Sequence, residues 1–172
     1  MMLSATFNYN QPCPCLSGIT YQACCHAYHT QQRVADSADT LMRSRYCAFV
    51  VGEFDYLINT HHPRYLADLT TEKLSQGNTL WLGLQVLTHQ LIDKSHPAFN
   101  LTFIDTVQAI VVFKAWYKLD KGVDAIFEES HFVRHEGKWF YTQGVQMEVD
   151  LPRRNDPCVC QSGKKFKQCC IS

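Results

Sequence analysis

The segment NQPCPCLSGITYQACC at residues 10–25 returns as NDPCVCQSGKKFKQCC at residues 155–170. Aligned without a gap, the two copies share Asn, Pro, four cysteines and a Ser-Gly pair, so each has the form C-x-C-x8-C-C. This repeat constrains the chain more than any other feature, because it accounts for eight of the nine cysteines and frames everything between. Neighbouring Cα atoms lie about 3.8 Å apart, whereas a disulfide needs about 4.4–6.8 Å. A bridge within Cys24–Cys25 or Cys169–Cys170 would therefore be strained. Four thiolates suit a closed tetrahedral zinc site with no open position for a substrate, and iron stays open as the ion. The expected ligands are Cys13, Cys15, Cys24 and Cys25 for one ion and Cys158, Cys160, Cys169 and Cys170 for a second. In each copy the C-x-C pair would sit on a tight turn and a short helix would return the last two sulfurs. Gly18 and Gly163 would supply the backbone freedom where the chain is redirected. His26, next to Cys25, competes for a ligand position in the first copy, whereas Ile171 stands there in the second.

With 172 residues, 46% of them hydrophobic, the chain can bury one ordinary core. The expected division is a knuckle over 1–35, a central domain over 36–150 and a knuckle over 151–172. A formal net charge of +0 gives the whole chain no electrostatic reason to seek an anionic membrane or nucleic acid, and no sequence-specific DNA binding is expected. No apolar run approaches the roughly 18 residues of a membrane helix. The start, MMLSATFNYNQ, lacks the basic and apolar stretches of a signal peptide. A soluble, cytoplasmic protein is the expectation, in keeping with cysteines used for metal rather than for bridges.

Charge is distributed unevenly. Residues 1–30 contain no Lys, Arg, Asp or Glu, while residues 151–172 carry Arg153, Arg154, Lys164, Lys165 and Lys167 against Asp156 alone. The three lysines either offset the negative charge of a zinc held by four thiolates or meet an acidic partner or RNA.

From residue 36 long apolar patterns begin. Leu41, Met42, Tyr46, Phe49 and Val50 recur at helical spacing, with Ser37 or Asp39 as N-cap and Gly52 as terminator. A second short helix carries Phe54, Leu57 and Ile58, Pro63 closes it, and a third is expected through Tyr65, Leu66 and Leu69. After Gly77 the pattern turns strand-like, in TLWLGLQVLTHQLID, FNLTFIDTVQAIVVFKAWYKL, AIFEESHFVRH and KWFYTQGVQMEV. Helices followed by antiparallel strands make an α+β domain. Within the third strand Phe127, Glu129, His131 and Val133 share one face, and Glu128, Ser130, Phe132 and Arg134 the other.

The run PCVCQSGKKFKQCC resembles the SEC-C motif, the small metal-binding tail of the SecA export motor, in which the last ligand is usually His where this chain has Cys25 and Cys170. The stretches LMRSRYCAFVVGEFDYLINTHHP and FEESHFVRHEGKWFYTQG, together with both knuckles, are similar to the YchJ-like family and cover nearly the whole chain. That resemblance implies central helices packed on a curved antiparallel sheet, a nuclear transport factor 2-like cone, with small zinc knuckles at both termini. It also implies a docking role, since the SecA tail contacts an export chaperone and the ribosome.

A cone can hold a pocket that serves catalysis or small-molecule binding, and fold alone does not decide. The candidate lining is Arg43, Arg45, Tyr46, His61, Asp105, Glu129, His131 and Tyr141, with His62, Glu128 and Gln143 nearby in sequence. Each has a quieter reading. The arginines would pair with a buried carboxylate such as Glu128 or Glu129. His61 and His62 would satisfy backbone groups at a helix end, and His131 would be a hydrogen-bonded core residue. Cys47, the ninth cysteine, falls mid-helix as a small buried hydrophobe. No nucleophile elbow, phosphate-binding glycine loop or HExxH pattern is present. Three readings stand: a docking protein with structural zinc, a small-molecule binder or enzyme using the cone, and a redox sensor in which oxidised thiolates release metal.

Overall fold

The computed structural model describes residues 7–77 and 79–171. Its helices are α1 (His26–His29), α2 (Ala38–Val51), α3 (Phe54–Asn59) and α4 (Thr71–Ser75). They precede four strands, β1 (Trp81–Ile92), β2 (Val107–Lys118), β3 (Val123–His135) and β4 (Lys138–Gln146), which form one antiparallel meander in the order β1-β2-β3-β4.

Helix α2 begins and ends where its sequence signals stand. Ser37 accepts a hydrogen bond from the Thr40 amide at 3.1 Å, and Gly52 takes the left-handed conformation with φ 84°, which costs a residue without Cβ little. Leu41, Met42, Tyr46 and Ala48 face a core shared with Leu84, Val111, Phe113, Phe132 and Trp139. Tyr46 sits edge-on to Trp81, with ring centroids 5.7 Å apart, and is a buried core residue. The expected third helix through Tyr65, Leu66 and Leu69 does not form. Pro63 opens a 3-10 turn over Pro63–Tyr65, Ala67 sits in the left-handed region at φ 50°, and the helix starts beyond it, capped by Thr70.

Alternation along the strands sends Ile126, Phe132, Ala109, Val111 and Phe113 toward the helices. The opposite sheet face is covered at two places. Near one end, the 3-10 turn Leu101–Phe103 packs over Gln108 and His131; at the other, Trp116, Val123 and Ala125 are covered by the C-terminal knuckle. Strand β2 is therefore buried on both faces along much of its length, which suits its run of aliphatic and aromatic residues.

His131 is a hydrogen-bonded core residue. Its Nδ1 lies 2.7 Å from Thr142 Oγ1 and its Nε2 2.8 Å from Gln108 Oε1. Burial lowers its pKa to about 4. The unfolded chain binds a proton that the fold excludes, so stability is full above the ordinary value near 6.5 and declines as pH falls toward 4. The decline is at most about 1.4 kcal/mol per pH unit. Urea unfolding of the wild type is expected to show a steeper acid limb between these values than His131→Asn. Equal slopes would remove His131 as the source.

Candidate metal centres

The two copies of the repeat fold alike, hydrogen bond by hydrogen bond. The Cys13 amide donates to the Ile19 carbonyl at 2.8 Å, and the Cys158 amide to the Lys164 carbonyl at 2.9 Å. The Leu16 and Gln161 amides close equivalent turns onto Cys13 and Cys158. Leu16 and Gln161 both have positive φ, 63° and 57°, as do Gly18 and Gly163 at 84° and 77°. A buried aromatic, Tyr21 in one and Phe166 in the other, fixes the turn that delivers the paired cysteines. The expected helix differs between the copies: the 3-10 turn Phe166–Gln168 precedes Cys169, whereas α1 follows Cys25.

This backbone brings the four sulfurs of each copy within 4.8 Å of one another. Cys15 and Cys24 are 3.5 Å apart, Cys24 and Cys25 3.9 Å, Cys158 and Cys160 3.4 Å, and Cys160 and Cys169 3.5 Å. A tetrahedron of about 2.3 Å metal–sulfur bonds has edges of about 3.8 Å, so both clusters match that span. No disulfide joins any of the nine cysteines, and these separations are far beyond a disulfide bond. The thiols also compete for protons. Hydrogen bonds from Cys15, Cys25 and Cys47 push the Cys13 thiol down, while Cys13 and Cys15 push Cys25 up. Four ionised sulfurs this close need a cation. His26 joins neither cluster; its ring instead packs on Tyr9 and Tyr21. The chain therefore carries two four-cysteine groups compatible with metal.

The knuckles dock on different layers. The first packs on α2: Tyr21 Oη and His29 Nδ1 are 2.9 Å apart, His29 Nε2 lies 2.9 Å from the Ser44 carbonyl, and Cys47 and Val51 enter its core. The second lies on the sheet face away from the helices, with Cys158 and Phe166 against Trp116, Val123 and Ala125. Lys118 Nζ donates to the Cys170 carbonyl at 2.6 Å, and Gln161 Nε2 to the Leu84 carbonyl at 3.3 Å. A Cβ on Gly83 would lie 2.5 Å from the Val159 carbonyl oxygen. Lys164 and Lys165 are exposed and Lys167 is half-buried. Among the described residues none of the three forms an ion pair.

Several sequence expectations of a cone pocket do not hold together. Asp105 lies on an exposed turn after the Leu101–Phe103 segment. Glu129 and His131 are on the sheet face away from the helices, whereas Arg45, His61 and Tyr141 are on the helix side. Arg43 pairs with Asp39 at 3.1 Å and leans on the first knuckle rather than entering the cone. Among the described residues Arg45 pairs with no carboxylate. Its Nη1 donates to the Leu57 carbonyl at 2.8 Å and to Thr60 Oγ1 at 2.7 Å, and it stacks over the Tyr141 ring at 4.9 Å. It thus caps α3, and burial lowers its pKa to about 10, so it stays charged at neutral pH. The inward carboxylate is Glu128, which accepts from Ser130, from Gln146 and, at 3.2 Å, from Tyr141, with room made by the missing Cβ of Gly144. His61 Nε2 lies 3.1 Å from the Thr142 carbonyl, and His62 Nδ1 accepts from the Arg64 amide at 3.3 Å. His62 thus serves a helix end, as its quieter reading expects, whereas His61 meets a carbonyl of β4 rather than a helix end. Sequence reasoning missed Lys118, Gly83, His29 and the contact of Cys47. Only the odd cysteine count, and the helical spacing of Arg43, Cys47 and Val51, hinted at the last.

A family described as "YchJ, middle NTF2-like domain" matches residues 37–144, and the SEC-C motif matches residues 10–27 and 154–171. The chain belongs to the YchJ family. A UPF0225 protein of Shewanella sp. (strain MR-4) is 50% identical over 168 residues, spanning 95% of this chain and 98% of that protein. One from Shewanella sp. (strain MR-7) is 48% identical over the same spans. Among solved structures, the crystal structure of a SEC-C motif-containing protein from Psychrobacter arcticus is 30% identical with TM-score 0.65, covering 94% of this chain and 97% of that one. The solution structure of a SEC-C motif-containing protein from Rhodopseudomonas palustris is 26% identical with TM-score 0.65, covering 80% and 100%. The nuclear transport factor 2-like centre and the metal-binding motifs of this family are those built above from residues.

If Gly83 is what lets the second knuckle seat on β1, Gly83→Ala forces Val159 away, at a cost of about 1–3 kcal/mol. Trypsin is then expected to cleave faster after Arg153 and Arg154. Unchanged protection of that linker would show that the close approach is not needed.

Proposed function

We propose that this protein is a zinc-binding accessory protein of the cytoplasm that docks, through its C-terminal knuckle, on the acidic surface of a translation or secretion component such as the ribosome or an export chaperone. Cys13, Cys15, Cys24 and Cys25 hold one zinc, and Cys158, Cys160, Cys169 and Cys170 the other. Zinc suits a closed four-thiolate tetrahedron of this span, and binding it folds segments too short to build a core of their own. Among the described residues, no helix is long and apolar enough to cross a membrane, in keeping with this placement.

The observation that carries the docking reading is the division of labour among the lysines. Lys118, from β2, is the one that hydrogen-bonds the second knuckle. Lys164 and Lys165 are exposed, beside a knuckle that Phe166 and Cys158 hold on the sheet. A fixed mount with unpaired cations on its outer side favours a charged partner.

A second reading, small-molecule binding, keeps a place in the molecule. A cleft of about 380 Å³ opens beside α3 and β4, floored by Leu41, Tyr56 and Trp139 and rimmed by Arg33 and Lys138, a size within the range of ligand sites.

Replacing Lys164, Lys165 and Lys167 with Ala tests the first reading. Metal content is expected to stay at the wild-type level while co-sedimentation with ribosomes, or capture of an export chaperone from extract, is lost. If RNA is the surface met, three phosphate contacts predict wild-type binding roughly 20- to 40-fold weaker at 200 mM than at 50 mM salt. Loss of zinc from the variant would assign the lysines to the metal instead, and salt-independent binding would reject the electrostatic mount.

A further inference from the structure

A metal ion held by four thiolates leaves net negative charge at the site, and the two centres are surrounded by different offsets. The second has Lys118 against it and Lys164, Lys165 and Lys167 in its own loop. The first sits in a segment, residues 7–32, with no Lys or Arg at all. Yet it is the more deeply buried of the two: Cys13, Cys15 and Cys25 are 1%, 2% and 2% exposed.

What reaches the first centre comes from α2. Arg43, Cys47 and Val51 stand four residues apart and so form one stripe along the helix. Arg43 Nη1 donates to the Cys15 carbonyl at 3.5 Å, and Val51 packs into the knuckle. Cys47, fully buried, places its Sγ 3.7 Å from Cys13 Sγ. It is not a member of the four-sulfur group whose atoms all lie within 4.8 Å of one another. Cys47 is thus a fifth sulfur beside a complete tetrahedral set.

We propose that Cys47 is the hydrogen-bond donor that completes the first metal centre, its neutral thiol donating to the Cys13 thiolate. The donation draws charge from a sulfur whose own segment holds no lysine or arginine and ties the ion to the central domain's longest helix. Cys47 positions and stabilises a ligand rather than binding the ion. The first ion is accordingly tied to α2 through Cys47, whereas the second centre has Lys118 of β2 on its Cys170 carbonyl. This rests on the metal-binding reading of both knuckles.

The test uses the full zinc-loaded chain, with excess chromogenic chelator to follow zinc release. Wild type is expected to hold two ions and release them in two phases. Failure to find two ions would sink the metal reading itself, independently of Cys47. The double variant Cys160→Ser/Cys169→Ser, with the second centre disabled, identifies which phase belongs to the first. Cys47→Ala is expected to accelerate that phase about 10- to 100-fold and leave the other unchanged. Cys47→Ser, whose hydroxyl keeps a donor at longer reach, is expected to fall between. In the cobalt-substituted chain, loss of the donor moves the sulfur-to-metal charge-transfer band to lower energy, in the order wild type, serine, alanine. If the alanine variant does not fold, the wild-type and serine pair still reads both quantities. Release rates equal to wild type in the folded variants, or faster release with an unmoved band, would overturn the proposal, the latter by assigning Cys47 to packing alone.

Discussion

Four sulfurs within 4.8 Å of one another, twice over, are the constraint on which the termini of this molecule depend. Neither knuckle contains enough apolar surface to fold by burial. Each has one buried aromatic, Tyr21 or Phe166, and a sequence of tight turns that includes a non-glycine residue at positive φ, Leu16 or Gln161. Such turns persist only where something else over-determines them. Mutual repulsion of thiolates opposes the same geometry, so a cation at the centre is what turns an unfavourable cluster into the organising element.

Once folded, each knuckle becomes a plug for the central domain. The first covers α2 through Cys47, Val51 and the Tyr21–His29–Ser44 relay. The second covers Trp116, Val123 and Ala125, which would otherwise leave an apolar patch on the sheet face away from the helices. Metal, knuckle and sheet are therefore linked in sequence: the ion shapes the loop, the loop buries the sheet face, and the sheet fixes the direction in which the lysine turn points.

The parts of this arrangement that were legible in the sequence are those encoded along one dimension. Metal spacing is read directly from C-x-C-x8-C-C. Helix α2 announces itself through Ser37, its apolar period and Gly52, and the four strands through alternation and turns. What failed required the third dimension. Alternation separates Glu128 from Glu129 but does not say which faces the helices, so Glu129 and His131 were grouped with Tyr141 and His61 across the sheet. A register shift in β4 near Thr142, which sets Tyr141 beside Phe132, has no sequence marker. Arg45 was expected to need a carboxylate because charge attracts charge; the open carbonyl at the end of α3 satisfied it instead. The docking of each knuckle depends on residues distant in sequence, Cys47, Gly83 and Lys118, none of which belongs to a motif.

Native mass spectrometry of the freshly purified chain tests the account most directly. The predicted result is the mass of the fully reduced chain plus two zinc ions, with both ions lost together with structure in the terminal segments when a strong chelator is added. A chain lacking metal and lighter by two hydrogens for each cysteine pair would mean that the repeat closes disulfides, and would contradict the reading on which the rest is built.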